Sequence, residues 1–512
     1  MNGAESLVRT LLACGIDTCF ANPGTSEMHF VAALDEVAGM RCVLGLAETV
    51  VTGCADGYAR MAGKPAATLL HCGPGFANGI ANIHNARRAG SPMVNIVGDH
   101  ATYHRRHDPP LAADSEGLAR AASHWVGTCT TSSQVGASAA AAVRAANEPP
   151  GRIATLILPA DCAWDEGGVV AAPQAAAAPA AVADGAIEAV AKARRSREPA
   201  MLVLNGAALG ERGLGAAHRI SQATGAMLRT PTQVPRMARG RGRPAVDRIP
   251  YSVDAAVQSL AAIRHVVLVC AAPPMAFFAY PGKPGLVAPE GAAYHVLSRP
   301  EEDGVQALER LAQALAAPAV AIADSGMRPQ AASGPFTHAG FGSTFAALIP
   351  ENAVVVEEAV TSGRQLFPPT FDAAPHDWLQ ITGGAIGQGF PCATGAALAA
   401  PDRKVICLQA DGGGMYSLQA LWTQARERFD VVNVVFANRA YRILQGELLA
   451  VGAQPGPASR ELFDLTRPAL DWVKLSQGMG VEATRVDTLE AFAKEFAAAR
   501  ARPGPFLIEF VI

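Results

Sequence analysis

The sequence contains no closely spaced pair of cysteines, and this absence limits what its cysteines can do. Ten of the 512 residues are cysteines, and none of them forms a CxxC pair. Several lie within apolar runs, as Cys270 does in "HVVLVCAA". This pattern predicts the reduced, buried thiols of a cytoplasmic protein and argues against a disulfide framework or a zinc site.

The sequence also lacks an excess of basic residues and a long apolar run. Its net charge is −3 and its pI is near 6.5, so nucleic acid is not an expected partner. No apolar run reaches the roughly 18 residues that indicate a membrane span. The N-terminus, "MNGAESLVRTLLACGID", predicts an amphipathic helix rather than a signal peptide. We therefore expect a soluble, cytoplasmic protein with no membrane partner.

The length and two linker-like segments predict three domains. A chain of this size exceeds the roughly 100–200 residues of one ordinary domain. Residues 169–185 are rich in Ala and Pro, and residues 327–336 form a second loose stretch, so we place domains at 1–168, 186–326 and 337–512. In each domain, short apolar runs that end in Gly, Asp, Asn or Glu alternate with helical stretches. This pattern predicts an α/β fold with three doubly wound parallel sheets.

The stretch "VICLQADGGG" is a candidate phosphate and metal site. Asp411 ends a predicted strand, and the glycines after it allow a ligand to approach backbone N–H groups closely. The next predicted strand, "VVNVVFAN", ends at Asn438, so both side chains should lie at one edge of the sheet. Their oxygens suit Mg²⁺, but a helix cap at Asp411 and a turn at Asn438 would explain the same residues.

A second signal lies in the first domain, where "LAETVVTGCADGYAR" places Glu48 between a predicted strand and a helix. A glutamate in the first turn of a helix often does no more than interact with the helix dipole.

Together, "ADGGGMYS" with "ANRAY" and "LAETVVTGCADGYAR" resemble the motifs of thiamine-diphosphate-dependent enzymes. Ala410 stands where that family has the first glycine of a Gly-Asp-Gly motif, a position that mainly has to be small. The resemblance runs along the whole chain and implies a pyrimidine-binding (PYR) domain, a middle domain and a diphosphate-binding (PP) domain, in that order. It implies thiamine diphosphate and Mg²⁺ as cofactors.

The same resemblance assigns roles to individual residues. Glu48 would be the carboxylate that activates the cofactor through its pyrimidine ring, working best where water is excluded. Ile386, in "TGGAIGQGF", would support the bend of the cofactor, although an ordinary core isoleucine would look the same. The metal ligands would be Asp411, Asn438 and the carbonyl of Ala440, and the residues near the diphosphate would be Gly412, Gly413, Tyr441 and Thr361 or Ser362. A plain turn at Thr361 is the alternative.

Two loops of the first domain favour decarboxylation of a 2-oxo acid. "CFANPGTSEMHF" resembles the loop that benzoylformate decarboxylases place near the pyrimidine, with Thr25 as its hydroxyl residue. His71, at the end of "AATLLH", stands where those enzymes also carry a histidine, which relays protons. A histidine that merely caps a strand is the alternative. The loop that contains His100, His104 and His107 matches the family's active-site loop only loosely.

Features expected of acetolactate synthases are missing. Glu447 stands where those enzymes commonly place a tryptophan, and the Phe-Gln pair of their active-site loop is absent. The middle domain has "VCAAPPMAFFAYPGKPG" in place of a flavin-binding stretch, so FAD is not expected. Phe277, Phe278 and Tyr280 in that segment either wall a pocket or simply pack.

These observations predict a non-oxidative 2-oxo acid decarboxylase, similar to benzoylformate decarboxylase. The first alternative is a carboligase similar to acetolactate synthase, and the second is a non-catalytic binding protein with the same fold. A nicotinamide enzyme on a Rossmann sheet is excluded because neither "NPGTSE" nor "GPGFANG" fits GxGxxG. In this family the cofactor lies between two subunits, so a homodimer is the expected minimum and a tetramer is usual.

Overall fold

Three sheets of mainly parallel strands organise the chain, as the sequence predicts. The computed structural model describes residues 1–322, 324 and 326–512. Residues 323 and 325, near the end of the predicted middle domain, lie outside the described residues. Five short 3₁₀ helices accompany the elements given below, at Thr25–Glu27, Arg105–His107, Ser132–Gln134, Gly206–Leu209 and Pro369–Asp372.

The first sheet has six parallel strands. They are β1 (Thr18–Ala21), β2 (Arg41–Leu44), β3 (Ala66–His71), β4 (Met93–Asp99), β5 (Trp125–Thr128) and β6 (Ile153–Pro159). Their order is β2-β1-β3-β4-β6-β5. The central strands β4 and β6 are buried along their full length, as expected for a parallel sheet covered on both faces. The covering helices are α1 (Gly3–Ala13), α2 (Met28–Glu36), α3 (Glu48–Ala62), α4 (Cys72–Ala89), α5 (Ser115–Ala122), α6 (Val135–Ala146) and α7 (Ala160–Trp164).

The second sheet has five parallel strands. They are β7 (Ala200–Leu204), β8 (Met227–Thr230), β10 (Asp247–Arg248), β11 (His265–Val269) and β12 (Ala293–Ser298), in the order β10-β8-β7-β11-β12. Its helices are α8 (Asp184–Arg195), α9 (Glu211–Thr224), α10 (Val253–Leu260) and α11 (Gly304–Ala314).

The third sheet has seven strands, and one of them comes from the predicted middle domain. Its parallel strands are β13 (Ala353–Glu358), β14 (His376–Gln380), β15 (Val405–Ala410), β16 (Val431–Ala437), β17 (Glu482–Val486) and β18 (Phe506–Val511). Strand β9 (Met237–Arg239) adds to the edge by pairing antiparallel with β14, which gives the order β17-β18-β16-β15-β13-β14-β9. The sequence pattern predicts a separate sheet for each domain, and the structure differs because β9 joins the third sheet.

Eight helices accompany the third sheet. They are α12 (His338–Leu348), α13 (Gly389–Ala399), α14 (Asp411–Gly414), α15 (Ala420–Glu427), α16 (Arg442–Ala450), α17 (Pro457–Phe463), α18 (Trp472–Gly478) and α19 (Leu489–Ala501). The stretch that follows Asp411 contains two separate helices, α14 and α15. Among the described residues, no helix combines the length and the apolar character that a membrane crossing requires.

The first and third sheets are joined by very close packing of α3 against α13. Buried residues of the two helices belong to one hydrophobic cluster. At the crossing, Gly57 faces the carbonyl of Cys392, and Gly395 faces the carbonyl of Cys54. A Cβ atom at either glycine would overlap with the facing carbonyl oxygen, so the two backbones can approach this closely only because glycine is present.

A buried ion pair lies beside this crossing. Arg60 Nε and Nη2 donate to the two carboxylate oxygens of Asp56, at 2.8 and 2.7 Å. The remaining guanidinium hydrogens reach the carbonyls of Pro235 and Gln380 and the hydroxyl of Thr382. The pair therefore links α3 to the predicted middle and third domains.

We expect Gly395→Ala to lower the thermal stability, because the added methyl group forces α3 and α13 apart. Overpacking of this kind costs about 1–3 kcal/mol. The matched control is Gly215→Ala in α9, where a Cβ would meet no atom within 4 Å. This control should melt at the same temperature as the wild type or higher, because alanine favours helix by about 1 kcal/mol over glycine. Equal melting of wild type and Gly395→Ala would contradict the predicted role of the crossing.

Candidate active site

Glu48 begins α3, and its carboxylate is almost fully buried, with 9% of the residue exposed. Asn78 Nδ2 donates to its Oε2 atom at 3.2 Å. No hydrogen bond to its Oε1 atom is present in the part of the chain that the structure describes. A Cβ at Gly75 would lie 2.7 Å from this Oε1 atom and 3.3 Å from the Cβ of His71. Gly75 therefore leaves one shared space beside Glu48 and His71.

His71 ends β3 and is held by residues of the loop after β1. Its Nδ1 atom lies 2.9 Å from Glu27 Oε2 and 3.2 Å from Ser26 Oγ. The buried carboxylate of Glu27 also accepts from the backbone N–H of Gly24 at 2.7 Å and from the hydroxyl of Ser26. The buried carboxylate of Glu27 therefore fixes the orientation of the imidazole ring.

Thr25 and its neighbour Ser26 differ in exposure and in their contacts. Thr25 is exposed, and none of the described residues forms a hydrogen bond with its hydroxyl group. Sequence reasoning missed Ser26 and Glu27, which are the residues that touch His71. A signal was available, because Glu27 lies three residues after Gly24, at the spacing of a side chain that caps a short helix.

Asp411 and Asn438 come together at the carboxyl edge of the third sheet, since β15 and β16 are parallel neighbours. Asp411 is 2% exposed and accepts from the backbone N–H groups of Gly412, at 2.9 Å, and Arg439, at 2.6 Å. Asn438 Oδ1 accepts from the N–H of Ala440 at 3.0 Å. Tyr441 lies against Gly412, where a Cβ would be 2.6 Å from its ring.

The charge of Asp411 has no cationic side chain beside it among the described residues. Burial raises the pKa of its carboxyl group to about 6, which its two backbone hydrogen bonds only partly offset. A buried carboxylate with other oxygen ligands next to it suits a divalent cation. The glycine N–H groups at the start of α14 suit the phosphate oxygens that such a cation binds. The donor set therefore fits the Mg²⁺ and diphosphate that the sequence motif predicts.

A second buried carboxylate, Glu358, holds the loop 381–388 that carries Ile386. It accepts from the N–H groups of Gly387, at 2.5 Å, and Gly389, and from Gln409 Nε2 at 3.1 Å. Burial raises the pKa of Glu358 to about 7 despite these donors. Ile386 itself is half-buried at the tip of this loop.

The remaining predicted residues lie in other segments. Thr361 is half-buried, and it follows Val360, a β-branched residue in the left-handed region at φ +49°. Phe277 lies over Gly384, where a Cβ would be 2.8 Å from its ring, and Tyr280 donates to Glu447 Oε2 at 2.7 Å. The aromatic segment of the middle domain therefore packs against both the loop of Ile386 and α16.

The predicted histidine loop lies beyond β4 at the surface. Arg105 pairs with Asp99 at 2.7 Å, and the rings of His104 and His107 lie 5.6 Å apart. The structure does not bring these histidines into contact with His71 or Glu48 within the described chain.

Glu358 gives a pH dependence to the stability of the fold. Its folded pKa of about 7 lies above the ordinary value of 4.5, so its contribution to stability is complete below about pH 4.5 and is lost as the pH rises to about 7. We expect Glu358→Gln to shrink the difference in melting temperature between about pH 5 and pH 8, measured in EDTA. Glu351→Gln, an exposed control, should keep the wild-type difference. An unchanged difference in Glu358→Gln would contradict the assignment.

Comparison with known proteins gives results consistent with this geometry. Residues 1–118 match the model "Thiamine pyrophosphate enzyme, N-terminal TPP binding domain", and residues 367–510 match the corresponding C-terminal TPP binding domain. A Mycobacterium tuberculosis protein, provisionally named acetolactate synthase large subunit IlvX, is 50% identical over 100% of this chain and 99% of its own length. Benzoylformate decarboxylase of Pseudomonas aeruginosa is 28% identical over 97% of this chain and 96% of its own.

A solved structure shares the fold. The thiamine diphosphate-dependent 4-hydroxybenzoylformate decarboxylase of Rhodococcus jostii RHA1 aligns with a TM-score of 0.85, at 24% identity, over 99% of this chain and 98% of its own.

Proposed function

The chain belongs to the family of thiamine pyrophosphate enzymes, and from that premise we propose that it decarboxylates a 2-oxo acid without oxidation. The observation that carries this proposal is the position of His71. Its imidazole is held by the buried Glu27 beside the space that Glu48 lines. A proton donor there suits a reaction in which a proton replaces the departing carboxylate.

The geometry at the sheet edges supports a cofactor site. Asp411, Asn438 and the carbonyl of Ala440 would hold Mg²⁺. The residues that would contact the diphosphate are Gly412, Gly413, Tyr441 and Thr361, and Ile386 would support the rings. When bound, thiamine diphosphate supplies the electron sink for loss of CO₂.

Side chains of the protein would carry out the remaining steps. Glu48 would form a hydrogen bond to the pyrimidine ring nitrogen through its Oε1 atom, which is available because Asn78 occupies only Oε2. The burial of Glu48 limits competition from water at this atom. His71 would hold and deliver the proton that completes the aldehyde, while Glu27 and Ser26 keep its ring in place.

A carboligase similar to acetolactate synthase is the second candidate, favoured by the 50% identical relative that carries that name. Against it, Glu447 occupies the place of the tryptophan common in those enzymes and is held by Tyr280. A non-catalytic binding protein is disfavoured because Glu48, Asp411 and Asn438 are all present. We do not expect FAD.

The products distinguish the two reactions. Purified protein with thiamine diphosphate and Mg²⁺ should convert benzoylformate or pyruvate into the aldehyde, with little acyloin.

Glu48→Gln should lower turnover by about a hundredfold or more because the acid–base group is lost, while the variant retains cofactor. The matched control is Glu490→Gln, another first-turn glutamate, which should leave turnover unchanged. In the product analysis, acetolactate as the main product would contradict the proposed decarboxylation and favour the carboligase.

We also propose that the active site forms between two copies of the chain. Gln388, just before α13, donates to Asp56 at 2.6 Å, so the loop of Ile386 lies beside the middle of α3. Glu48 is eight residues earlier on α3, about 12 Å away along the helix axis. Glu358, at the end of β13 in the third sheet, accepts a hydrogen bond from Gly387 in the same loop and therefore lies near Asp56 rather than Glu48 along α3. Within one chain, Glu48 is therefore separated from the loop of Ile386 by about 12 Å along α3. This separation supports a dimer as the minimum, and a tetramer would be two such dimers.

Mixing two inactive variants tests this arrangement. Glu48→Gln and Asp411→Asn should each be inactive alone. After unfolding and refolding together, mixed dimers contain one intact site, so about a quarter of the wild-type activity should return. Mixing Glu48→Gln with itself is the control and should stay inactive. If both residues of a site came from one chain, the mixture would also remain inactive.

A further inference from the structure

We infer that Glu27, His71 and Cys72 form a binding site for a soft divalent cation such as Zn²⁺. Each residue offers one ligand atom, and these three atoms lie within 4.8 Å of one another. The set combines a carboxylate oxygen, an imidazole nitrogen and a thiol sulfur. The spacing of the cysteines predicts no zinc site, but Glu27 reaches His71 and Cys72 only through the fold.

The spacing of these atoms is suitable for zinc. Typical bond lengths place two ligands of a tetrahedral zinc roughly 3.4–3.6 Å apart. The ligand atoms, which lie within 4.8 Å of one another, would reach this spacing by shifts of about 1 Å. Glu27 and Cys72 are buried, whereas His71 is half-buried. The site is therefore open to solvent at His71, where the ion can enter and a fourth ligand can bind.

The backbone around Cys72 is arranged to hold the thiol in this position. Cys72 has φ +53°, a left-handed conformation that a residue with a side chain rarely adopts. Such conformations often occur where a side chain must be aimed at a ligand. Glycines make room for the other two groups, because a Cβ at Gly24 would overlap with the ring of His71 and a Cβ at Gly98 would overlap with Glu27.

The hydroxyl of Ser26 lies among the three ligand atoms. Its Oγ atom is 3.2 Å from His71 Nδ1 and 3.2 Å from Cys72 Sγ, and it also donates to Glu27. A rotation about its Cα–Cβ bond would move this hydroxyl aside, or it would remain as the fourth ligand. Either change leaves the backbone in place.

The site differs in kind from the predicted Mg²⁺ site. Asp411, Asn438 and Ala440 offer only oxygen, which suits a hard cation, whereas sulfur and imidazole select Zn²⁺, Co²⁺ or Cd²⁺. Because His71 would be a ligand, zinc should inhibit the enzyme. The binding depends on the geometry alone, but the inhibition rests on the proposed function, in which His71 carries a proton.

The test uses the holoenzyme with thiamine diphosphate and excess Mg²⁺, so that the Asp411 site is filled. Co²⁺ should produce the thiolate-to-metal charge-transfer absorption of a cysteine ligand. Equilibrium dialysis should show one Zn²⁺ per chain. Cys72→Ser should lose this absorption and weaken Zn²⁺ binding by at least about tenfold, whereas Cys42→Ser, an exposed control thiol, should do neither.

Absence of the absorption in the wild-type holoenzyme would overturn the site without relying on any variant. Unchanged Zn²⁺ affinity in Cys72→Ser would also overturn it. Zinc that binds with the absorption but does not reduce turnover would keep the site and contradict the role of His71. A protein that decarboxylates but binds no zinc would contradict this inference alone.

Discussion

The buried pair of Asp56 and Arg60 is the interaction on which the arrangement of the three sheets depends. Their side chains are 0% and 2% exposed, and two charges removed from water are tolerated only when their hydrogen-bonding capacity is met. All five guanidinium hydrogens are used, because Pro235, Gln380 and Thr382 accept those that Asp56 does not. Loss of either charge would strand the other inside the protein. The pair therefore fixes how the first domain sits on the other two.

This fixed orientation has a consequence for chemistry. Asp56 also binds Gln388, which precedes α13, so the loop of Ile386 is tied to the middle of α3. Glu48, at the N-terminus of the same helix, lies about 12 Å from Asp56 along the helix axis. In the proposed dimer, this link would fix the position from which each copy presents Glu48 to the metal site of the other.

The candidate site keeps its charges in separate environments. Asp411 and Glu358 are buried carboxylates whose main partners are backbone N–H groups, and burial raises the pKa of each. Glu27 is also buried, but it has an imidazole beside it. A hard cation suits Asp411, whereas the group around His71 suits proton transfer or a softer ligand. The position of each carboxylate therefore determines whether it suits a bound cation or an imidazole.

The sequence alone determined the alternation of strands and helices and the meeting of Asp411 with Asn438, because parallel strands bring their carboxyl ends to one edge. It also singled out Glu48 and His71 as candidates, because they end or follow predicted strands. It could not show the transfer of β9 to the third sheet or the exposure of Thr25 beside the half-buried Ser26. Nor could it show the thiol of Cys72 near Glu27. These features depend on contacts between distant segments and on side-chain direction, which local patterns of polarity do not encode and which only tertiary packing decides.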